Sequence, residues 1–393
     1  MPSYPVLTLK PDAEVHLRNH HHAIFRSAVD RLPQAEDGDI VEVKSSKGDF
    51  LCFAHWNQKA YICGRAIAFE KGDPLTHVRT LMEQAVRLRK ALFRKEETTC
   101  FRLINAEGDA LPGLIVDQYG EVLVIQMTTL GFDRMRDWVK DQLMDIVKPK
   151  AIFEKSTGSA RKKEGLEEKE GWILGKTDQA IEVKERGIKY LITLEGSQKT
   201  GLFLDQREMR FLVRQTANGH TVLDCCSYVG GFSVNALVGG ALASDAVDYD
   251  SAALARAREH AAINSIPADR LQIFSEDVFN FLRRKSLPHA YDYIILDPPA
   301  FAKRSSDLEP AKKAYTDLNR MALQALPPGG ILLTCSCSYQ VNPELFQTLV
   351  FHAARQAKRS VKILSRHRQA MDHPVNLYHP EGDYLKSLLL WVE

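Results

Sequence analysis

Asp297-Pro298-Pro299-Ala300-Phe301 closes a strand-like run, and Thr334-Cys335-Ser336-Cys337-Ser338 follows after the next helical stretch. The first segment puts a carboxylate and a rigid turn at the mouth of a nucleotide-type fold. The second puts two thiols at the neighbouring strand end. A flat base held between them could be attacked by sulfur while an acid steadies its ring nitrogen. That chemistry suits methylation of a pyrimidine ring carbon. Cytosine carbon 5 is a poor nucleophile, but thiolate addition at carbon 6 turns the ring into an enamine that can take a methyl group from a sulfonium. An acid at ring nitrogen 3 stabilises the charge that develops, and Asp297 is expected in that role. Alternation puts Cys335 and Cys337 on one face while the strand persists, so periodicity alone does not choose between them.

The paired prolines fix φ, remove two donors and leave backbone carbonyls unclaimed. Pro298, Pro299 and Phe301 are therefore expected to hold the base, although the same residues could end a strand. Most cysteines act as small apolar residues, and Cys52, Cys63, Cys100, Cys225 and Cys226 are read that way.

The elements that must position these groups begin near Tyr190. Strands are expected at 221–225, 242–247, 271–274, 291–296, 330–334, 361–364 and 384–392. Helices are expected at 231–237, 252–264, 278–285, 310–326 and 343–358. This alternation implies an α/β fold with a parallel, doubly wound sheet and ligands at the carboxyl ends of its strands. Ahead of it, residues 1–73 alternate short β runs with turns and read as a small β-barrel, and residues 74–189 as a mixed α+β domain. Within the latter, the charged and glycine-containing stretch 155–171 is expected to be a mobile loop.

The first of those strands runs into Asp224-Cys225-Cys226-Ser227-Tyr228-Val229-Gly230-Gly231. Glycines there let backbone amides approach a ligand, and the following helix start favours a carboxylate. A full G-x-G-x-x-G is missing, which disfavours a dinucleotide. Asp248 is placed to accept from ribose hydroxyls and Asp277 to bond an adenine amino group. Each of the two could instead cap a helix. Together with Asp224, Ser227, Tyr228, Gly230 and Gly231 they fit adenosine without phosphates, as in S-adenosylmethionine. Asp297 borders the same pocket.

With 393 residues, 45% hydrophobic and 26% charged, the chain reads as a soluble globular protein of the cytoplasm, without a membrane span or export signal. Seven cysteines without a C-x-x-C pair suit a reducing compartment and call for no metal. A net charge of +2 confines any nucleic-acid surface to a local patch. Arg87, Arg89, Lys90, Arg94 and Lys95 crowd one helix, and Arg161-Lys162-Lys163 lies in the charged loop. Either run could track phosphates, or be a solvated face. The adjacent His20-His21-His22 are read as surface or packing residues, because neighbours in a strand or turn rarely converge on one ion.

The chain resembles the bacterial large-subunit ribosomal RNA cytosine-5 methyltransferases with an N-terminal PUA domain (the RlmI type). The resemblance is carried by Gly38-Asp39-Ile40-Val41-Glu42-Val43, Leu111-Pro112-Gly113-Leu114-Ile115-Val116-Asp117 and the unusual Lys199-Thr200-Gly201-Leu202-Phe203-Leu204-Asp205-Gln206-Arg207. Ser227–Phe232, Asp297–Phe301 and Ser336-Cys337-Ser338 add to it. It implies that Cys337, not Cys335, is the nucleophile, and that Phe203, Asp205, Gln206 and Arg207 line the cofactor pocket. It implies 23S ribosomal RNA as partner, with the cytosine unpaired or flipped. A homodimer is compatible with the sequence. Two departures stand out: His20-His21-His22 replaces the usual His-Pro-Trp, and Cys225-Cys226 a Leu-Phe type pair. Rival readings are methylation of an exocyclic nitrogen such as guanine N2, and a non-catalytic RNA-binding ribosome assembly factor.

Overall fold

The computed structural model describes residues 4–94, 97–195 and 201–393, and these fall into two compact units. Lys95, Lys199 and Thr200, named above, lie outside the described residues.

The first unit spans 1–187, 192–201 and 371–382, and its two larger sheets have six and five strands. Six short strands between Val6 and Ala68 make one, with Val41, Val43, Cys52, Ala54 and Cys63 in its core. A five-stranded sheet built from Cys100–Asn105, Leu114–Tyr119, Val122–Met127, Ala151–Ser156 and Lys169–Leu174 makes the other. The helix Pro74–Leu92 packs on it through Val78, Met82, Ala85 and Val86, at helical spacing. Asp73 caps this helix by accepting from the Thr76 amide at 3.0 Å, with Pro74 at the first position, where it loses no helical bond.

The stretch expected to be a mobile loop is ordered. It holds the helix Ser159–Lys163 between two strands of the second sheet. Arg161 is fully buried and donates to the carbonyls of Glu167 (2.7 Å) and Met127 (2.5 Å) and to Asp133 (2.9 Å). Charge density misled the reading here, because the cation is spent on internal acceptors and not on water.

The second unit spans 188–191, 202–370 and 383–393. Its strands are β1 (Thr221–Cys225), β2 (Ala243–Asp248), β3 (Leu271–Ser275), β4 (Tyr293–Leu296), β5 (Ile331–Ser336), β6 (Val361–His367) and β7 (Lys386–Val392), in the sheet order β3-β2-β1-β4-β5-β7-β6. Only β7 runs against its neighbours. The helices are α1 (Arg207–Thr216), α2 (Gly231–Val238), α3 (Ser251–Ile263), α4 (Val278–Leu282), α5 (Leu308–Ala325) and α6 (Pro343–Ala357), of which α1 was not foreseen. Both faces of the sheet are covered. Along β4, Ile294 and Leu296 enter one core and Tyr293 and Ile295 the other, which explains the unbroken apolar run. Register aligns Cys225 with Val247 and with Leu296, and Leu296 with Thr334. The strand ends carrying Asp224, Asp248, Asp297 and Cys337 therefore share one edge, where the order reverses between β1 and β4.

Candidate active site

Between β1 and α2 the backbone is bent into an unusual turn. Cys226, Tyr228 and Gly230 all have positive φ (61°, 49° and 71°). Left-handed geometry costs a non-glycine residue about 1–2 kcal/mol, so two such residues in one turn mark stored strain. Gly230 has a second reason to lack a side chain: a Cβ there would stand 2.5 Å from Cβ of Ala257 in α3. The turn thus presses against α3 while α2 begins with its amides facing the sheet edge.

Asp224 anchors that helix. It is fully buried, and its Oδ2 accepts from the Ser233 amide (3.0 Å) and hydroxyl (2.8 Å). Burial raises its carboxyl to about 7, against the lowering effect of the Ser233 bonds. Its Oδ1 and the buried hydroxyl of Ser227 have no hydrogen-bond partner. Buried polar atoms are seldom left so, and these two lie on the turn where a ligand is expected.

Asp248 accepts from the amides of Tyr228 (2.8 Å) and Asp250 (3.0 Å), one at each oxygen. It holds the turn in shape, and each oxygen keeps a lone pair for a further donor. Asp277 is exposed and caps α4 through the Asn280 amide at 3.0 Å. At Asp277 the local geometry is the capping alternative weighed from the sequence. Phe203 meets Tyr228 edge to face at 5.2 Å, and the Phe203 carbonyl accepts from buried Arg210 at 2.8 Å. Asp205 accepts from the Tyr384 hydroxyl, and its carbonyl from the Ala370 amide. Arg207 is buried at the start of α1. Gln206 reaches across to Asp297, its amide nitrogen donating at 2.8 Å.

The two cysteines of β5 and its following loop part company. Cys335 is inside the strand and fully buried, and burial pushes its thiol well above the ordinary range. Cys337 lies beyond the strand end, half-buried, with its thiol 4.0 Å from the Pro298 carbonyl. Its neighbours are pinned. The buried Tyr315 hydroxyl lies 2.9 Å from both the Ser336 and the Ser338 hydroxyls, and Ser338 also accepts from the Ala302 amide at 3.1 Å. Both loops are thereby tied to one tyrosine of α5. Pro299 is exposed and Pro298 buried, while Phe301 turns inward onto Tyr315 at 4.8 Å and Phe279 at 6.2 Å. Sequence reasoning missed Tyr315, for which the helix pattern gives no signal. It also missed Lys386, whose signal is a lone charge at the start of a largely apolar strand.

In the first unit, Arg89 is buried, bidentate on Asp109 (2.6 and 2.8 Å) and bonded to the Asp372 carbonyl. With Arg161 it leaves the phosphate candidates, whereas Arg87, Lys90, Arg94, Lys162 and Lys163 are exposed. His21, His379 and Glu381 have ligating atoms within 4.8 Å of one another. A metal on a histidine Nε2 requires a proton on Nδ1 and an acceptor for it. Here His21 Nδ1 faces the Ala23 amide at 3.2 Å and His379 Nδ1 is buried without a partner. The trio is therefore read as two stacked rings, 4.5 Å apart, beside a carboxylate.

Residues 162–389 match the family described as S-adenosylmethionine-dependent methyltransferase, and residues 7–69 the PUA-like domain. A Salmonella arizonae protein named ribosomal RNA large subunit methyltransferase I is 36% identical over 391 residues, covering 98% of this chain and 97% of its own. The chain belongs to that methyltransferase family. Among solved structures, SMU.776, assigned as a methyltransferase and crystallised with SAH, superposes with a TM-score of 0.84 at 26% identity, over 98% of this chain and 99% of its own. A chain from Streptococcus mutans, assigned as S-adenosylmethionine-dependent, gives 0.83 at the same identity and coverage. The methyl donor is S-adenosylmethionine, and the site suits it: the unpaired Asp224 Oδ1 and Ser227 hydroxyl, the close-packed Gly230 and the amides opening α2 face one edge. Among the described residues, no helix is long and apolar enough to cross a membrane.

Proposed function

We propose that the chain forms 5-methylcytosine in 23S ribosomal RNA, with Cys337 as nucleophile and Asp297 holding the base at ring nitrogen 3. The observation that carries this reading is the thiol of Cys337 just past β5, half-buried and 4.0 Å from the backbone carbonyl of Pro298, the residue that follows Asp297. Cys335 is sealed within the sheet, its thiol fully buried and bonded to Gln206 and Ser387. S-adenosylmethionine, when bound, supplies an electrophilic methyl group on a sulfonium. Asp224, Ser227, Tyr228, Gly230, Gly231 and Asp248 would hold it, with Asp277, whose Oδ1 caps α4, at the adenine end through its other oxygen, and Phe203 to Arg207 closing the pocket.

Addition of the Cys337 thiolate to carbon 6 places electron density on carbon 5, which accepts the methyl group; loss of the carbon 5 proton and elimination of the Cys337 thiolate from carbon 6 then release 5-methylcytosine. Gln206 orients Asp297 through its amide, and Pro298 and Pro299 offer carbonyls to the base edge. Phe301 acts from behind, by packing on Tyr315. Ribosomal RNA as substrate draws on the Salmonella relative's name and on the PUA-like match. The proposed division is an RNA-binding module at 1–73, a middle domain at 74–189 and a catalytic domain at 190–393.

The test is to methylate unmodified large-subunit ribosomal RNA, digest it to nucleosides and identify the product by mass spectrometry. Methyl on carbon 5 of cytidine is expected. Methyl on guanine N2 would overturn the reading and make Cys337 a bystander.

A further inference from the structure

Lys386 opens β7 directly opposite Ser336 of β5, at the edge where the thiol loop begins. It is the only charged residue of that strand and is 5% exposed. Its Nζ donates to the carbonyl of Ser338 at 2.6 Å and to that of Tyr384 at 2.8 Å. The ammonium is thus bound to the residue immediately after Cys337, by carbonyls and without a carboxylate among the described residues.

Such a group is expensive to keep. Burial pulls Lys386 down to about 8, with Cys337 and Asp383 acting to raise it and Arg368 to lower it. The unfolded chain binds this proton more tightly, so stability rises with pH between about 8 and the ordinary 10.5, and Lys386 opposes folding near neutrality. An apolar side chain would fill the strand position at less cost. Packing therefore does not account for the charge.

Two further titratable groups close to the loop are neutral. Tyr315, on α5, is pushed up to about 12 by burial and stays neutral. Cys335, on β5, is pushed far above its ordinary range and stays a thiol, with the nearby Asp297 adding to that effect. Lys386 is the cation bonded directly to the loop, through the Ser338 carbonyl.

We propose that Lys386 is a positioning residue for Cys337: it fixes the Ser338 carbonyl and sets a positive charge beside the loop, favouring thiolate over thiol. This rests on the reading of Cys337 as nucleophile. The S–H bond breaks with its proton passing to solvent. The sulfur pair then forms the bond to cytosine carbon 6, and the displaced π electrons move to carbon 5. Lys386 itself neither makes nor breaks a bond.

The test follows alkylation of Cys337 by iodoacetamide against pH, read by peptide mass spectrometry, in wild type, Lys386→Met and Lys386→Arg. Each protein is first checked for S-adenosylmethionine binding as a sign of folding. In wild type the rate is expected to inflect below the usual thiol value of about 8.5. In Lys386→Met the inflection should rise by about one pH unit, on the order expected for one nearby charge in a partly screened site. Lys386→Arg should restore the wild-type profile. Methyl transfer in Lys386→Met should fall about tenfold at neutral pH and recover at higher pH, as expected of a thiolate nucleophile. Superimposable profiles in wild type and Lys386→Met would overturn the proposal. Should Lys386→Met not fold, a wild-type inflection at or above the usual thiol value does so by itself. Failure of the underlying reading looks different: alkylation would still depend on Lys386, but cytosine methylation would survive Cys337→Ala.

Discussion

The turn after β1 and the loop after β5 lie at the same sheet edge and are built on opposite plans. The turn leaves polar capacity open. Asp224 Oδ1 and the Ser227 hydroxyl are buried and unpaired, and two non-glycine residues hold left-handed backbone. The loop leaves almost none open: Ser338 is tied through its amide to Ser336, through its hydroxyl to Tyr315 and Ala302, and through its carbonyl to Lys386. A region that receives a ligand keeps unsatisfied donors and acceptors for it. A region that presents one reacting atom removes every other freedom around that atom.

Four substitutions should break this contrast. Cys337→Ala should abolish methyl transfer, a loss on the order of a thousandfold or more for a covalent nucleophile, while S-adenosylmethionine binding measured by calorimetry stays unchanged. Gly230→Val should do the reverse. Its side chain would clash with Ala257 in a left-handed turn, so calorimetry should show binding lost while Cys337 alkylation proceeds as in wild type. Tyr315→Phe removes one hydroxyl from between two buried serines, costing about 1–3 kcal/mol in denaturant melts. Turnover should drop about tenfold with little change in affinity for the methyl donor.

The smallest effect is expected from Asp224→Asn without ligand. The Asp224 carboxyl is raised from 3.8 to about 7 in the folded state, so the native protein keeps a proton that the unfolded chain releases. Wild-type stability should therefore fall as pH rises from about 4 to about 7, and the variant should show a flatter profile over that window.

The second unit was largely legible because its strands are buried on both faces and its helices alternate with them. The β1, β3 and β5 expectations lie within two residues of the strands found, and Asp224, Asp248 and Asp297 fall at the ends of β1, β2 and β4. The choice between Cys335 and Cys337 was not legible by alternation. Two-residue periodicity holds only within a strand, and β5 stops at Ser336. The run 155–171 was misread because a charged sequence gives no sign that Arg161 folds inward onto carbonyls. Tyr315 and Lys386 were missed because their roles depend on partners 21 to 48 residues away. Phe301, expected to contact the base, is half-buried and packs against the core behind the loop, a placement its neighbours in sequence do not signal.

The most direct measurement incubates the protein with S-adenosylmethionine and ribosomal RNA carrying 5-fluorocytosine, comparing wild type, Cys335→Ala and Cys337→Ala on a denaturing gel. Fluorine at carbon 5 blocks the final elimination, so a thiol mechanism leaves a stable protein–RNA adduct. Adducts in wild type and Cys335→Ala, and none in Cys337→Ala, are expected. Methyl transfer to unsubstituted RNA with no adduct from any of the three proteins would contradict a covalent role for Cys337.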